Sequence, residues 1–228
     1  MRRVPVWFLT LALIFASGGC GSSAPEAASE PEASASEAPQ AVVDPGSGPL
    51  VVAFGDSLTA GHGLAPGEGY PEIMREVLAE RGVEIRVANE GVSGDTTASA
   101  LTRLGAAKGL GADWALVELG ANDGLRGLPL DAMEDNLRTI VRAFQDAGAR
   151  VVLIGMRLPP NYGQDYVRDF EAIFPRVAEE LGVPLLPFLL EGVAADPALN
   201  QSDGIHPNAE GSRRVAETVA DFLEPLLK

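Results

Sequence analysis

Beyond residue 49 the chain alternates five times between a short apolar run and a longer stretch with apolar residues at helical spacing. Runs so short and so continuously apolar are buried on both faces, as strands are in a parallel sheet covered by helices on each side. They fall at 50–54, 85–88, 114–119, 151–156 and 184–187, and the helical stretches at 70–81, 96–104, 130–147, 166–181 and 207–227. Parallel neighbours must be joined through a crossover, so the pattern predicts one three-layer α/β/α domain over 50–228 with a five-stranded parallel sheet. No internal repeat is visible.

The first 49 residues follow a different logic. Arg2 and Arg3 precede an apolar segment, 4–16, broken only by Thr10, and small residues Ser17, Gly18 and Gly19 follow before Cys20. This pattern predicts a signal peptide over 1–20. At about 13 residues the apolar run is short of the ~20 that a spanning helix needs. Small residues before the only cysteine resemble a bacterial lipobox, in which the thiol is lipidated and becomes the mature N-terminus; Ser17 stands where that motif usually has Leu. Residues 21–49 are Ala, Ser, Glu and Pro with almost no large apolar side chain, too little to offset the entropy of ordering. They are expected to be a disordered tether with a reach of about 30 Å or more. The expectation is an exported, periplasmic protein held to a membrane through lipidated Cys20, the outer membrane being favoured because no Asp follows the cysteine.

Composition removes several function classes. A net charge of −15 argues against a nucleic-acid partner, whose phosphates are held by Lys and Arg. One cysteine and two histidines cannot form an intrachain disulfide or a structural zinc site of three or four Cys/His ligands, although a carboxylate-rich metal site stays open. Gly61-His62-Gly63-Leu64-Ala65-Pro66 approaches a dinucleotide fingerprint, but Pro66 stands at the third glycine.

In a doubly wound sheet, ligands bind beyond the carboxyl ends of the strands. There the first strand runs into Gly55-Asp56-Ser57-Leu58, the second into Asn89-Glu90-Gly91-Val92-Ser93-Gly94-Asp95, and the third into Gly120-Ala121-Asn122-Asp123. Asp203-Gly204-Ile205-His206-Pro207 precedes the last helix. A serine hydroxyl needs a base to remove its proton, and the base needs a partner to fix its tautomer. Asp203 and His206, three apart in a glycine-containing turn, suit the two roles, with Ser57 as nucleophile at a strand-to-helix turn. The backbone N–H groups of Ser57 and Gly94 and the Asn122 side-chain amide are the matching oxyanion donors. Taken singly, each has a plainer reading: Asp56 or Ser57 as a helix cap, Gly94 as a turn glycine, Asn122 as an Asx-turn residue. His62 has no carboxylate beside it in sequence and reads as a loop or pocket-rim residue. Thr59 stands where the Gly-x-Ser-x-Gly elbow of α/β-hydrolases requires glycine.

Together and in this order, the blocks resemble the SGNH (GDSL) hydrolase family. Val117-Glu118-Leu119-Gly120, Asn122 to Gly127, Arg157-Leu158-Pro159, Asn161-Tyr162-Gly163, Val183 to Phe188 and Asp203 to Asn208 are similar to its bacterial thioesterase/lysophospholipase/arylesterase branch. The resemblance implies a flavodoxin-like fold with strand order 2-1-3-4-5, and a serine ester hydrolase that needs no cofactor or metal; a monomer is expected. By position, Ser57, Asp203 and His206 look like its triad, and Ser57, Gly94 and Asn122 like its oxyanion hole. Leu125, Leu128, Leu158 and Tyr162, on loops after strands three and four, are expected to line an acyl pocket. Expected substrates are aryl or short-to-medium acyl esters and lysophospholipids, with acyl-CoA cleaved in vitro. The alternatives are a carbohydrate O-acetyl esterase and, in another class, a non-catalytic lipoprotein that binds lipid or glycan.

Overall fold

The computed structural model describes residues 47–228. The signal segment, Cys20 and nearly all of the 21–49 tether lie outside the described residues.

Five strands form one sheet: β1 (Leu50–Gly55), β2 (Arg86–Gly91), β3 (Trp114–Glu118), β4 (Arg150–Ile154) and β5 (Leu185–Leu186). All pairings are parallel and the order is β2-β1-β3-β4-β5. Every residue of β1 and β3 is buried, which accounts for their apolar runs, broken only by Glu118 at the end of β3. Among the described residues there are eight α-helices, seven between strands and the last after β5: α1 (Ser57–Ala60), α2 (Tyr70–Glu80), α3 (Thr97–Gly109), α4 (Ala121–Leu125), α5 (Leu130–Asp146), α6 (Gln164–Glu171), α7 (Ile173–Leu181) and α8 (Ala209–Leu227). A right-handed crossover from β1 to β2 runs toward one edge, and those from β2 to β5 run toward the other. Handedness therefore puts α2 on one face and α3, α5 and α7 on the opposite face. α8 packs on α2, and α5 packs on both α3 and α7, which gives the three layers.

The differences from the sequence reading have local causes. β2 extends to Gly91, beyond the expected 85–88, because its ladder with β1 continues through Gly55–Gly91 while its polar Asn89 and Glu90 hide the strand. Gly91 is required there: a Cβ would lie 2.2 Å from the Ala60 nitrogen. The expected helix 166–181 is two helices, broken at Ala172. Pro175 has no N–H to give the Glu171 carbonyl, so it sits in the first turn of a new helix.

Candidate active site

The chain leaves β1 for one neighbour and returns to β3 on its other side, so a crevice opens where β1 and β3 end. Ser57, separated from β1 by Asp56 alone, is the first residue of α1. Asp56 caps that helix, its Oδ1 accepting from the Leu58 N–H at 3.0 Å, so the plain capping role holds for Asp56 and leaves the Ser57 hydroxyl free for other work. The loop before α8 brings the other two groups. Asp203 Oδ1 accepts from the backbone N–H groups of Ile205 (2.9 Å) and His206 (3.0 Å), while Gly204 takes φ +70 to close the turn.

This turn leaves Asp203 Oδ2 2.7 Å from His206 Nδ1, and His206 Nε2 2.9 Å from Ser57 Oγ. The imidazole and the His206 and Ile205 backbone N–H groups hold the Asp203 carboxyl well below the usual carboxylate range. An ionised Asp203 can only accept, so Nδ1 carries the imidazole proton and Nε2 presents its lone pair to the serine hydroxyl. The three sequence-predicted triad residues therefore meet across 149 positions of chain.

Gly94 follows β2 with φ +84, a conformation that favours glycine. Asn122 lies in α4, whose preceding Gly120 also has a positive φ, +111, which favours glycine. Asn122 Nδ2 donates to Asp56 Oδ2 at 3.1 Å. Arg126 Nη2 donates to the Gly94 carbonyl at 2.9 Å and approaches Asn122 Oδ1 at 3.4 Å. Two of the three expected oxyanion residues, Gly94 and Asn122, thus belong to one connected network.

Beneath Ser57 lies a layer that the sequence reading did not anticipate. Glu118, fully buried at the end of β3, accepts through Oε2 from Thr59 Oγ1 (2.8 Å) and from the Asp56 N–H (3.3 Å). Burial, reinforced by the neighbouring Asp56 charge, pushes its carboxyl well above the usual range. Burial also pushes Asp56 up, to about 6. The available sequence signal was a lone carboxylate inside the apolar run Trp114 to Leu119. Arg103 latches the strand ends, donating to the carbonyls of Glu90 (2.7 Å) and Gly55 (2.8 Å) and to Asp95 Oδ2 (2.7 Å). Its guanidinium lies over the Phe54 ring.

The four apolar pocket residues divide. Leu128 and Tyr162 are exposed, Leu125 is half-buried, and Tyr162 donates its hydroxyl proton to the Leu125 carbonyl at 3.1 Å. Leu158 is a correction: it is 6% exposed and packs within the core against Gly124, where a Cβ would come within 2.8 Å of it. His62 is exposed, as a rim residue should be, and its ring centroid lies 4.7 Å from that of His206. Its Nδ1 faces Ser93 Oγ at 3.5 Å, while Ser57 faces His206.

Residues 53–214 match the model of the GDSL-like Lipase/Acylhydrolase family. The chain is 40% identical over 174 residues to an arylesterase of Vibrio mimicus, covering 76% of this chain and 87% of that protein. It is 41% identical over 175 residues to thioesterase 1/protease 1/lysophospholipase L1 of Escherichia coli strain K12, covering 76% and 83%. The crystal structure of AlinE4, an SGNH-hydrolase family esterase, is similar at TM-score 0.67 and 40% identity, covering 80% of this chain and 98% of that one.

Proposed function

Because the chain belongs to the GDSL-like lipase/acylhydrolase family and is an ester hydrolase, we propose that it works by two-step acyl transfer through Ser57, His206 and Asp203. The observation that carries this reading is the continuous hydrogen-bonded line from Ser57 Oγ through the imidazole to Asp203. Ser57 Oγ attacks the ester or thioester carbonyl while His206 Nε2 takes its proton. The tetrahedral oxyanion is held by the Ser57 and Gly94 N–H groups and by Asn122 Nδ2. His206 then gives the proton to the leaving alkoxide or thiolate as the acyl bond to it breaks, leaving an acyl-serine and a free alcohol or thiol. Water, deprotonated by the same imidazole, repeats the sequence and releases the acid.

Carboxylic esters and lysophospholipids are the substrates we favour. The relatives' names include arylesterase, thioesterase and lysophospholipase, and exposed Leu128 and Tyr162 beside half-buried Leu125 suit an acyl chain better than a sugar. A fluorophosphonate probe should label Ser57, and Ser57→Ala should abolish both labelling and hydrolysis across a panel of p-nitrophenyl esters, acyl-CoAs, lysophospholipids and acetylated sugars. Labelling that survives the substitution rejects Ser57, and preferential cleavage of acetylated sugars rejects the acyl-chain reading.

We further propose export, and anchoring through lipidated Cys20, supported by the basic start, the short apolar run, the small residues before the thiol and the polar tether. Full-length protein made in a bacterium should take up labelled fatty acid and enter the detergent phase, and Cys20→Ala should abolish both. Recovery solely as a soluble species beginning after Cys20 would reject the anchor.

A further inference from the structure

The Asn122 amide is gripped at both ends by groups of opposite charge. Its Nδ2 faces Asp56 Oδ2 at 3.1 Å, and its Oδ1 faces Arg126 Nη2 at 3.4 Å. Turning the amide over would set N–H against guanidinium and carbonyl against carboxylate, so the charges alone select one orientation. An amide nitrogen has two hydrogens; with one given to Asp56, the second projects from the same locked plane. The same guanidinium holds the Gly94 carbonyl at 2.9 Å. A peptide's C=O and its residue's N–H are set by φ and ψ, so fixing that carbonyl at φ +84 also fixes where the Gly94 N–H points. Arg126 itself is held close to Asn122: it ends α4, and its own N–H donates to the Asn122 carbonyl at 3.2 Å.

We infer that Arg126 is a positioning residue of the oxyanion hole, its side chain orienting two donors from different strands, Gly94 after β2 and Asn122 after β3, toward one oxygen. The inference rests on the reading of Gly94 and Asn122 as oxyanion donors. Arg126 is exposed, so water screens its charge, and its effect comes from the orientation it imposes on the donors rather than from direct attraction at a distance. Donors preset for the tetrahedral oxygen matter more in the transition state than in the bound ester, so losing their orientation lowers kcat and leaves KM nearly unchanged.

The test is a double-mutant cycle of Arg126→Met and Asn122→Ala, read by kcat and KM for p-nitrophenyl butyrate, by the rate of phosphorylation of Ser57 by diethyl p-nitrophenyl phosphate, and by Tm. Loss of the Asn122 donor should lower kcat by roughly 100- to 1,000-fold. Arg126→Met should lower kcat and the phosphorylation rate together by about 10-fold, with KM within about twofold and Tm unchanged. The double variant should fall by less than that tenfold below Asn122→Ala, because the part of the Arg126 effect that passes through the amide is already lost and only its hold on Gly94 remains. Arg126→Lys keeps a cation able to meet one carbonyl and should recover part of kcat; if the Met variant fails to fold, the Lys variant alone reads the same split. Full kcat in Arg126→Met or Arg126→Lys beside a crippled Asn122→Ala overturns the role of Arg126 only. An effect confined to KM, or full additivity in the cycle, also overturns it. Unchanged kcat in Asn122→Ala removes the oxyanion hole as assigned, and this inference with it.

Discussion

Asp56→Asn tests the buried layer beneath the nucleophile, because it removes a charge while keeping the shape. The Asp56 carboxyl is 1% exposed and is pushed from 3.8 to about 6, chiefly by burial. A group raised above its unfolded value contributes stability that is whole below the unfolded value and is lost as pH climbs through the folded one. Roughly two pH units at about 1.4 kcal/mol each put this loss near 3 kcal/mol between pH 4 and pH 8. Asparagine has no such dependence. Its oxygen can still accept from the Leu58 N–H, but its nitrogen then faces Asn122 Nδ2, donor against donor, at a cost of about 1–3 kcal/mol. The variant should therefore be less stable than the wild type near pH 4.5, and the gap should close or reverse by pH 8. Urea unfolding at intervals across that range measures it. Since the Asn122 amide loses its anchor, kcat should also fall by about 10- to 100-fold at every pH. A stability difference that stays constant with pH would refute the titration of Asp56, and an undiminished kcat would refute its hold on Asn122.

His206→Ala should lower kcat/KM by about 1,000-fold or more, whereas His62→Phe, which keeps a ring beside the base, should stay within about tenfold of the wild type; the reverse ranking would move the base to His62. Gly91→Ala should destabilise the domain by about 1–3 kcal/mol in thermal or urea unfolding, since its Cβ would lie 2.2 Å from the Ala60 nitrogen. An unchanged Tm would show that α1 can move away from β2, and that the close packing under Ser57 is not required. A chain starting near Gly48 should fold and hydrolyse soluble esters at the full-length rate; its failure to fold would assign the preceding residues a structural part.

The sequence alone determined the class of sheet, because a strand buried on both faces is apolar nearly throughout, and β1 and β3 are, Glu118 at the end of β3 excepted. It also paired Asp203 with His206, since they are three residues apart and their contact is a property of one turn, whereas Ser57 reaches them across 149 positions only through the tertiary fold. Where polarity and strand coincided, as at Asn89 and Glu90, the strand's end was hidden, and Pro175 marked a helix break that apolar spacing did not register. The tertiary structure decided everything that depends on residues from separate strands meeting. Glu118 reads as one charged residue in an apolar run until burial beside Asp56 alters both carboxyls. Leu158 reads as a loop side chain until the fold buries it in the core beside Gly124. Arg126 reads as a solvated cation until β2 and β3 bring Gly94 and Asn122 to its two sides. Periodicity records which face of an element is buried, but the partner across a crevice is set by strand order and register, which no local pattern encodes.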